Sequence, residues 1–126
     1  MPGLKLTSLT LPDLLTICPF EGETNPHYDD ALAETVAWAN SYKIFTGKKR
    51  AIYDQVMPEL FVSHFYPSAD AQVFRMCCQY TYIMYAFDET TDDMDALGVQ
   101  TVGESFLNAL SGKFFDGNVI SNMVKE

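Results

Sequence analysis

Residues Ala71-Gln72-Val73-Phe74-Arg75-Met76-Cys77-Cys78-Gln79-Tyr80-Thr81-Tyr82-Ile83-Met84-Tyr85-Ala86-Phe87 hold neither glycine nor proline. They run directly into Asp88-Glu89-Thr90-Thr91-Asp92-Asp93-Met94-Asp95. Phe74, Cys77, Thr81, Met84 and Asp88 are separated by three, four, three and four positions, the period of one helix face. The spacing predicts a single long helix from residue 70 to about residue 92, roughly 35 Å long at ~1.5 Å per residue. It also predicts an apolar stripe that ends on the first aspartate. The acids then sit near the helix C-terminus, where the macrodipole is negative and carboxylates are disfavoured. Asp88 and Asp92 share a face, an arrangement of like charges that costs about 0.2–0.5 kcal/mol in an isolated helix. No Lys or Arg occurs between residues 76 and 112 to relieve them. Two such penalties beside an apolar stripe point to a cation supplied from elsewhere.

The flanking sequence is also punctuated as helices. Ser68 or Asp70 is expected to cap the long helix. Upstream, Asn25-Pro26-His27-Tyr28-Asp29-Asp30 reads as a helix start: Asn as cap, Pro at the first helical position, acids in the first turn. That helix is expected to run through Trp38 to about Thr46 and stop at Gly47. Residues 50–57 form the next helix, ended by Pro58, and residues 59–66 a short third one closed by Pro67. Pro12, Pro19 and Gly22 break up the first 24 residues, which read as irregular. Downstream, residues 99–110 form an amphipathic helix with Val102, Phe106 and Leu110 on one face and Gly112 at its end. Asp116-Gly117 turns the chain, and Val119, Ile120, Met123 and Val124 open a last helix. There is no alternating strand pattern, repeat or low-complexity tract. The expected architecture is all-α and a single domain over residues 1–126, irregular over 1–24 and helical over 25–126.

Composition supports a packed domain. Of 126 residues, 48% are hydrophobic and 13% aromatic, well outside the range of disordered chains. A net charge of −9 argues against nucleic acid or an anionic membrane surface as partner. The one basic run, Lys48-Lys49-Arg50, is shorter than the tracts that mark binding patches and reads as a solvated helix start. Cys18, Cys77 and Cys78 form no disulfide framework, and two cysteines inside an apolar helix read as small core residues. Met1-Pro2-Gly3-Leu4-Lys5-Leu6 lacks the pattern of a signal peptide. No apolar run approaches the ~20 residues of a membrane span. A reducing, cytoplasmic setting is expected.

The acidic cluster does not fit an EF-hand loop. A loop starting at Asp88 would need Gly at position 93, which is Asp, and Glu at position 99, which is Val. What remains is a pair of carboxylates at helical spacing facing apolar residues. Magnesium suits such a pair, because it takes one or two carboxylates, keeps several waters and is completed by substrate phosphates. An ordinary solvated helix end has the same spacing, so the spacing leaves both readings open.

Asp88-Glu89-Thr90-Thr91-Asp92, preceded by Phe87, resembles the aspartate-rich motif of fungal, basidiomycete-type sesquiterpene synthases, which are class I terpenoid cyclases. Leu11-Pro12-Asp13-Leu14, Pro19-Phe20, Asn25-Pro26-His27-Tyr28, Trp38, Tyr66-Pro67-Ser68-Ala69-Asp70, Arg75 and Asp116-Gly117 follow in the order that family shows, so the resemblance covers nearly the whole chain. It implies the N-terminal portion of an α-helical barrel that binds farnesyl diphosphate in an apolar cavity, with Mg2+ as cofactor. A magnesium cluster held partly by the motif triggers loss of diphosphate, and the resulting carbocation cyclises. Carried onto this sequence, Asp88 is the main ligand and Asp92 supports it directly or through water. Glu89 orients or balances charge, and Thr81 and Met84 line the cavity wall. The family's second metal motif (Asn-Asp-x-x-Ser-x-x-x-Glu), its diphosphate-sensing Arg and its C-terminal Arg-Tyr pair are not found in these 126 residues, so the resemblance implies a partial domain.

Two other readings fit parts of the sequence. A trans-prenyltransferase also uses an aspartate-rich helix, but it usually follows the motif with an Arg pair, and residues 93–112 contain no basic side chain. The other is a non-catalytic helical protein acting through an exposed apolar face, and the same face makes self-association an expectation. His27 and His64 have no second His or Cys at ligand spacing, Trp38 reads as a core anchor, and Ser105 has no nucleophile context.

Overall fold

The computed structural model describes residues 8–113 and 117–125. They form helices α1 (Leu14–Ile17), α2 (Tyr28–Tyr42), α3 (Gly47–Val56), α4 (Pro58–Phe65), α5 (Ala71–Thr91), α6 (Ala96–Leu110) and α7 (Val119–Lys125), with no strand among the described residues. α5 is the axis of the molecule. It packs against α4 along its N-terminal half, against α2 along both halves, and against α6 and α7 as well. Asp70 caps it by accepting from the Val73 N–H at 2.9 Å.

α5 buries Phe74, Cys78, Tyr82, Ile83 and Ala86. The expected stripe lies mostly on another face. Only Phe74 of the five stripe residues is fully buried; Cys77 and Thr81 are half-buried, and Met84 and Asp88 are exposed. The cause is that α5 is apolar nearly all round, so a 3.6-residue period fits more than one face. Bulk decided between them. Tyr82 packs its ring 4.5 Å from Tyr53, 5.8 Å from Trp38 and 6.2 Å from Phe45, within the main core cluster. The burial of Cys78 pushes its thiol up to about 12, consistent with an inert core cysteine.

The start of α2 differs from expectation in a way that explains the fold. Asn25 does not cap the helix. Its side chain is 2% exposed and donates from Nδ2 to the carbonyls of Tyr66 at 2.8 Å and Ala69 at 2.9 Å, while Oδ1 accepts from the His27 N–H at 2.8 Å. Its backbone N–H donates to the Ser63 carbonyl at 3.2 Å. Asn25 thus holds the α4–α5 turn against the entry to α2, and the helix begins three residues later at Tyr28.

Three other boundaries move. α2 stops at Tyr42 because Lys43 takes the left-handed conformation, φ 53°. Gly47, expected as a stop, begins α3 with φ 57°. α6 starts at Ala96 rather than 99, capped by Asp95 accepting from the Gly98 N–H at 2.8 Å. Leu14–Ile17 makes one helical turn within the irregular N-terminal stretch, capped by Asp13. The expected turn at Asp116-Gly117 falls partly on Asp116, which lies outside the described residues. α6 and α7 are joined by a buried polar link, Ser105 Oγ to Ser121 Oγ at 2.6 Å, with Asn118 Nδ2 donating to Ser105 Oγ at 2.6 Å.

Candidate functional site

The acidic end of α5 is built from its own hydrogen bonds. Helix C-termini leave carbonyls without intrahelical partners. Here the Thr90 hydroxyl donates to the Ala86 carbonyl at 2.6 Å, and the Thr91 hydroxyl donates to the carbonyls of Phe87 at 3.0 Å and Asp88 at 3.1 Å. Asp92 follows as C-cap, still right-handed helical, with its N–H donating to the Asp88 carbonyl at 3.0 Å. The backbone therefore stays helical through both aspartates, and their carboxylates leave one face one turn apart.

The five acids separate by role. Asp95 caps α6. Glu89 and Asp93 share Lys49 of α3, whose Nζ is 3.9 Å from Glu89 Oε2 and 3.9 Å from Asp93 Oδ2. Asp88 and Asp92 make no ion pair with any described residue. Sequence reading missed Lys49 because it comes from a helix forty residues earlier, and its run Lys48-Lys49-Arg50 read as a solvated helix start. Arg50 is also used inside the fold, pairing with Asp54 at 2.7 Å, and Arg75 pairs with Glu34 at 2.9 Å.

Asp88 lies between two grooves. On one side Thr81, Met84, Tyr80, Tyr85 and Phe87 join it around an open, largely apolar space of about 430 Å³. On the other, Phe45, Lys49, Ile52, Tyr53, Val56, Tyr85 and Glu89 surround about 250 Å³ between α3 and α5. The structure thus brings together Thr81, Met84 and Asp88. Glu89 turns toward Lys49, and Asp92 stands one turn past the first groove.

The donor set can be tested against a metal on its chemistry. Asp88 and Asp92 offer carboxylate oxygens only, which suits magnesium. Among the described residues no three His, Cys, Asp or Glu side chains converge, so a magnesium ion held there would take its remaining ligands from water or from a phosphate group. No helix among the described residues is long and apolar enough to cross a membrane.

No protein-family model matches the chain. It is 41% identical over 93% of its length to the linoleate 10R-lipoxygenase COP4 of Coprinopsis cinerea. It is 35% identical over 92% of its length to the bifunctional terpene synthase Agr4 of Cyclocybe aegerita, and 30% identical over 79% to the Delta(6)-protoilludene synthase of the same fungus. It spans 34%, 34% and 15% of those three proteins, about a third of their length or less. Further relatives, 26–32% identical, are sesquiterpene or protoilludene synthases. The all-helical fold and these relatives agree: over the part that aligns, the chain is of the fungal sesquiterpene synthase type.

Proposed function

We propose that this chain is the metal-binding N-terminal part of a cyclase that ionises farnesyl diphosphate and closes it to a sesquiterpene. The observation that carries this reading is the division of the acidic cluster: Glu89 and Asp93 share Lys49, Asp95 caps α6, and Asp88 and Asp92 pair with no cation among the described residues. Asp88 would hold Mg2+, with Asp92 supporting it. Bound magnesium would neutralise the charge that develops on the departing diphosphate. Glu89, screened by Lys49, keeps a third negative charge from crowding the pair. Thr81, Met84, Tyr80 and Phe87 give the isoprenoid an apolar wall, and excluding water from such a wall protects a cationic intermediate from hydrolysis. The lipoxygenase name of one relative describes another chemistry. The paired carboxylates of Asp88 and Asp92 suit a hard cation such as Mg2+, which supports the cyclase reading.

The test is a complete synthase that carries this segment. Asp88→Asn keeps volume and removes one anionic ligand. Metal catalysis stabilises transition-state charge by several kcal/mol, so turnover should fall at least about a hundredfold with the fold unchanged by circular dichroism. Glu89→Gln should cost less than about tenfold. Near-normal product from the Asp88 variant would remove the assignment.

A further inference from the structure

α3 is held differently from every other long helix. The closely packed helix pairs are α6–α7, α2–α5, α4–α5, α5–α7, α2–α4 and α5–α6, and α3 belongs to none of them. It buries a single residue, Tyr53, whose ring rests on Phe45 at 5.0 Å and Tyr82 at 4.5 Å. Both of its ends are left-handed joints. Gly47 has φ 57° and Met57, directly before Pro58, has φ 49°. A non-glycine residue held there stores strain of about 1–3 kcal/mol.

Beneath α3 lies a largely apolar crevice of about 240 Å³, walled by α2, α3, α4 and α5. Glu59 is in it, only 3% exposed. The charged and titratable groups around Glu59 are Tyr28 of α2, Arg50, Tyr53 and Asp54 of α3, and Cys78 and Tyr82 of α5. Arg50 is committed to Asp54 at 2.7 Å, and no described cation lies within ion-pairing distance of Glu59. The hydroxyls of Tyr53 and Tyr82 are buried without a well-formed hydrogen bond to the protein. A charged carboxylate here would therefore draw water in, and α3 is the one wall free to yield.

We propose that α3 is a flap, hinged at Gly47 and Met57, that stays seated while Glu59 is neutral and lifts when Glu59 ionises. Burial raises the Glu59 carboxyl above its ordinary range, and this outweighs both its own backbone N–H and Arg50, which favour the charged form. Lifting would carry Lys49 away from Glu89 and Asp93 and open the groove that α3 shares with Asp88. The seating does not depend on the cyclase reading; only this last consequence does.

Hydrogen exchange of the full chain, followed from pH 5 to pH 8 and corrected for intrinsic rates, tests the flap. The ratio of closed to open α3 should fall about tenfold for each pH unit between the free and seated pKa of Glu59, while α5 amides stay protected. Glu59→Gln should hold α3 protected across the range, and Glu59→Met, similar in volume, should do the same if the Gln variant folds poorly. Tyr53→Ala should expose α3 at every pH. An α3 whose protection ignores pH, or the same pH profile in the Glu59 variants, overturns the proposal. No metal or diphosphate enters this readout, so its failure is separate from a failure of the cyclase reading.

Discussion

The backbone N–H of Asp92 donates to the carbonyl oxygen of Asp88 at 3.0 Å, which keeps α5 helical through its last acid and sets the two carboxylates one turn apart. Thr90 and Thr91 return their hydroxyls to the same stretch of carbonyls, offsetting part of the cost of a negatively charged C-terminus. Lys49 then takes the neighbouring pair, Glu89 and Asp93. Both lone exposed ion pairs and helix-end charges are individually worth under about 1 kcal/mol. What the arrangement achieves is a division of labour between the two faces of one helix end.

Asn25 should prove the most sensitive position for folding. Its side-chain amide donates to two carbonyls of the α4–α5 turn and accepts from the His27 N–H, and its backbone N–H donates to Ser63 of α4. A buried donor or acceptor left without its partner costs about 1–3 kcal/mol, so Asn25→Ala should destabilise the chain by about 3 kcal/mol in urea unfolding. Asn25→Asp should cost at least as much, because it turns two donors into acceptors facing carbonyls. A change below about 1 kcal/mol would show that the turn is held by something else.

That residue also shows the limit of what the sequence reveals. The long helix was legible because seventeen residues without Gly or Pro and a capping Asp70 admit little else. The aspartate pair was legible for the same reason, since its geometry is local. The buried face of α5 was not legible, because two faces were equally apolar and only the fit of Tyr82 among Tyr53, Trp38 and Phe45 chose between them. Asn25 read as a cap because its partners, Tyr66 and Ala69, lie about forty residues away, and the pairing of Lys49 with Glu89 was hidden by the same kind of separation.

Glu59 gives stability a pH dependence of definite sign. Its carboxyl is raised in the folded chain by burial, so the folded state binds the proton more tightly than the unfolded state. The stabilising contribution is full below the unfolded carboxyl value and is lost as pH rises through the folded one. Glu59→Gln should therefore be stabilising at pH 7 and nearly neutral at pH 4, as read by the shift in urea midpoint. A destabilised Gln variant at pH 7 would mean that the carboxylate is compensated after all.

The apolar side chains left on the surface should show in solution. Met76, Tyr80 and Met84 of α5, Leu107 and Leu110 of α6, and Phe61 and Phe65 of α4 are exposed, and contiguous patches of a few hundred Å² mark interfaces. The chain by itself should self-associate or pack loosely, with a mass above that of the monomer or weak near-ultraviolet circular dichroism. It should also fail to convert farnesyl diphosphate. A rigid monodisperse monomer that releases a volatile sesquiterpene would contradict this.

If Asp88 and Asp92 form the cation site, paramagnetic mapping locates the cation there even where binding is weak. Mn2+ with pyrophosphate, titrated into the isotopically labelled chain, should broaden the amide signals around Asp88 and Asp92 first. The Asp88→Asn, Asp92→Asn double variant should lose that broadening while its other signals stay in place. Broadening that centres on Glu89 and Asp93, or that spreads evenly over all the acidic surface and survives in the double variant, would contradict the account.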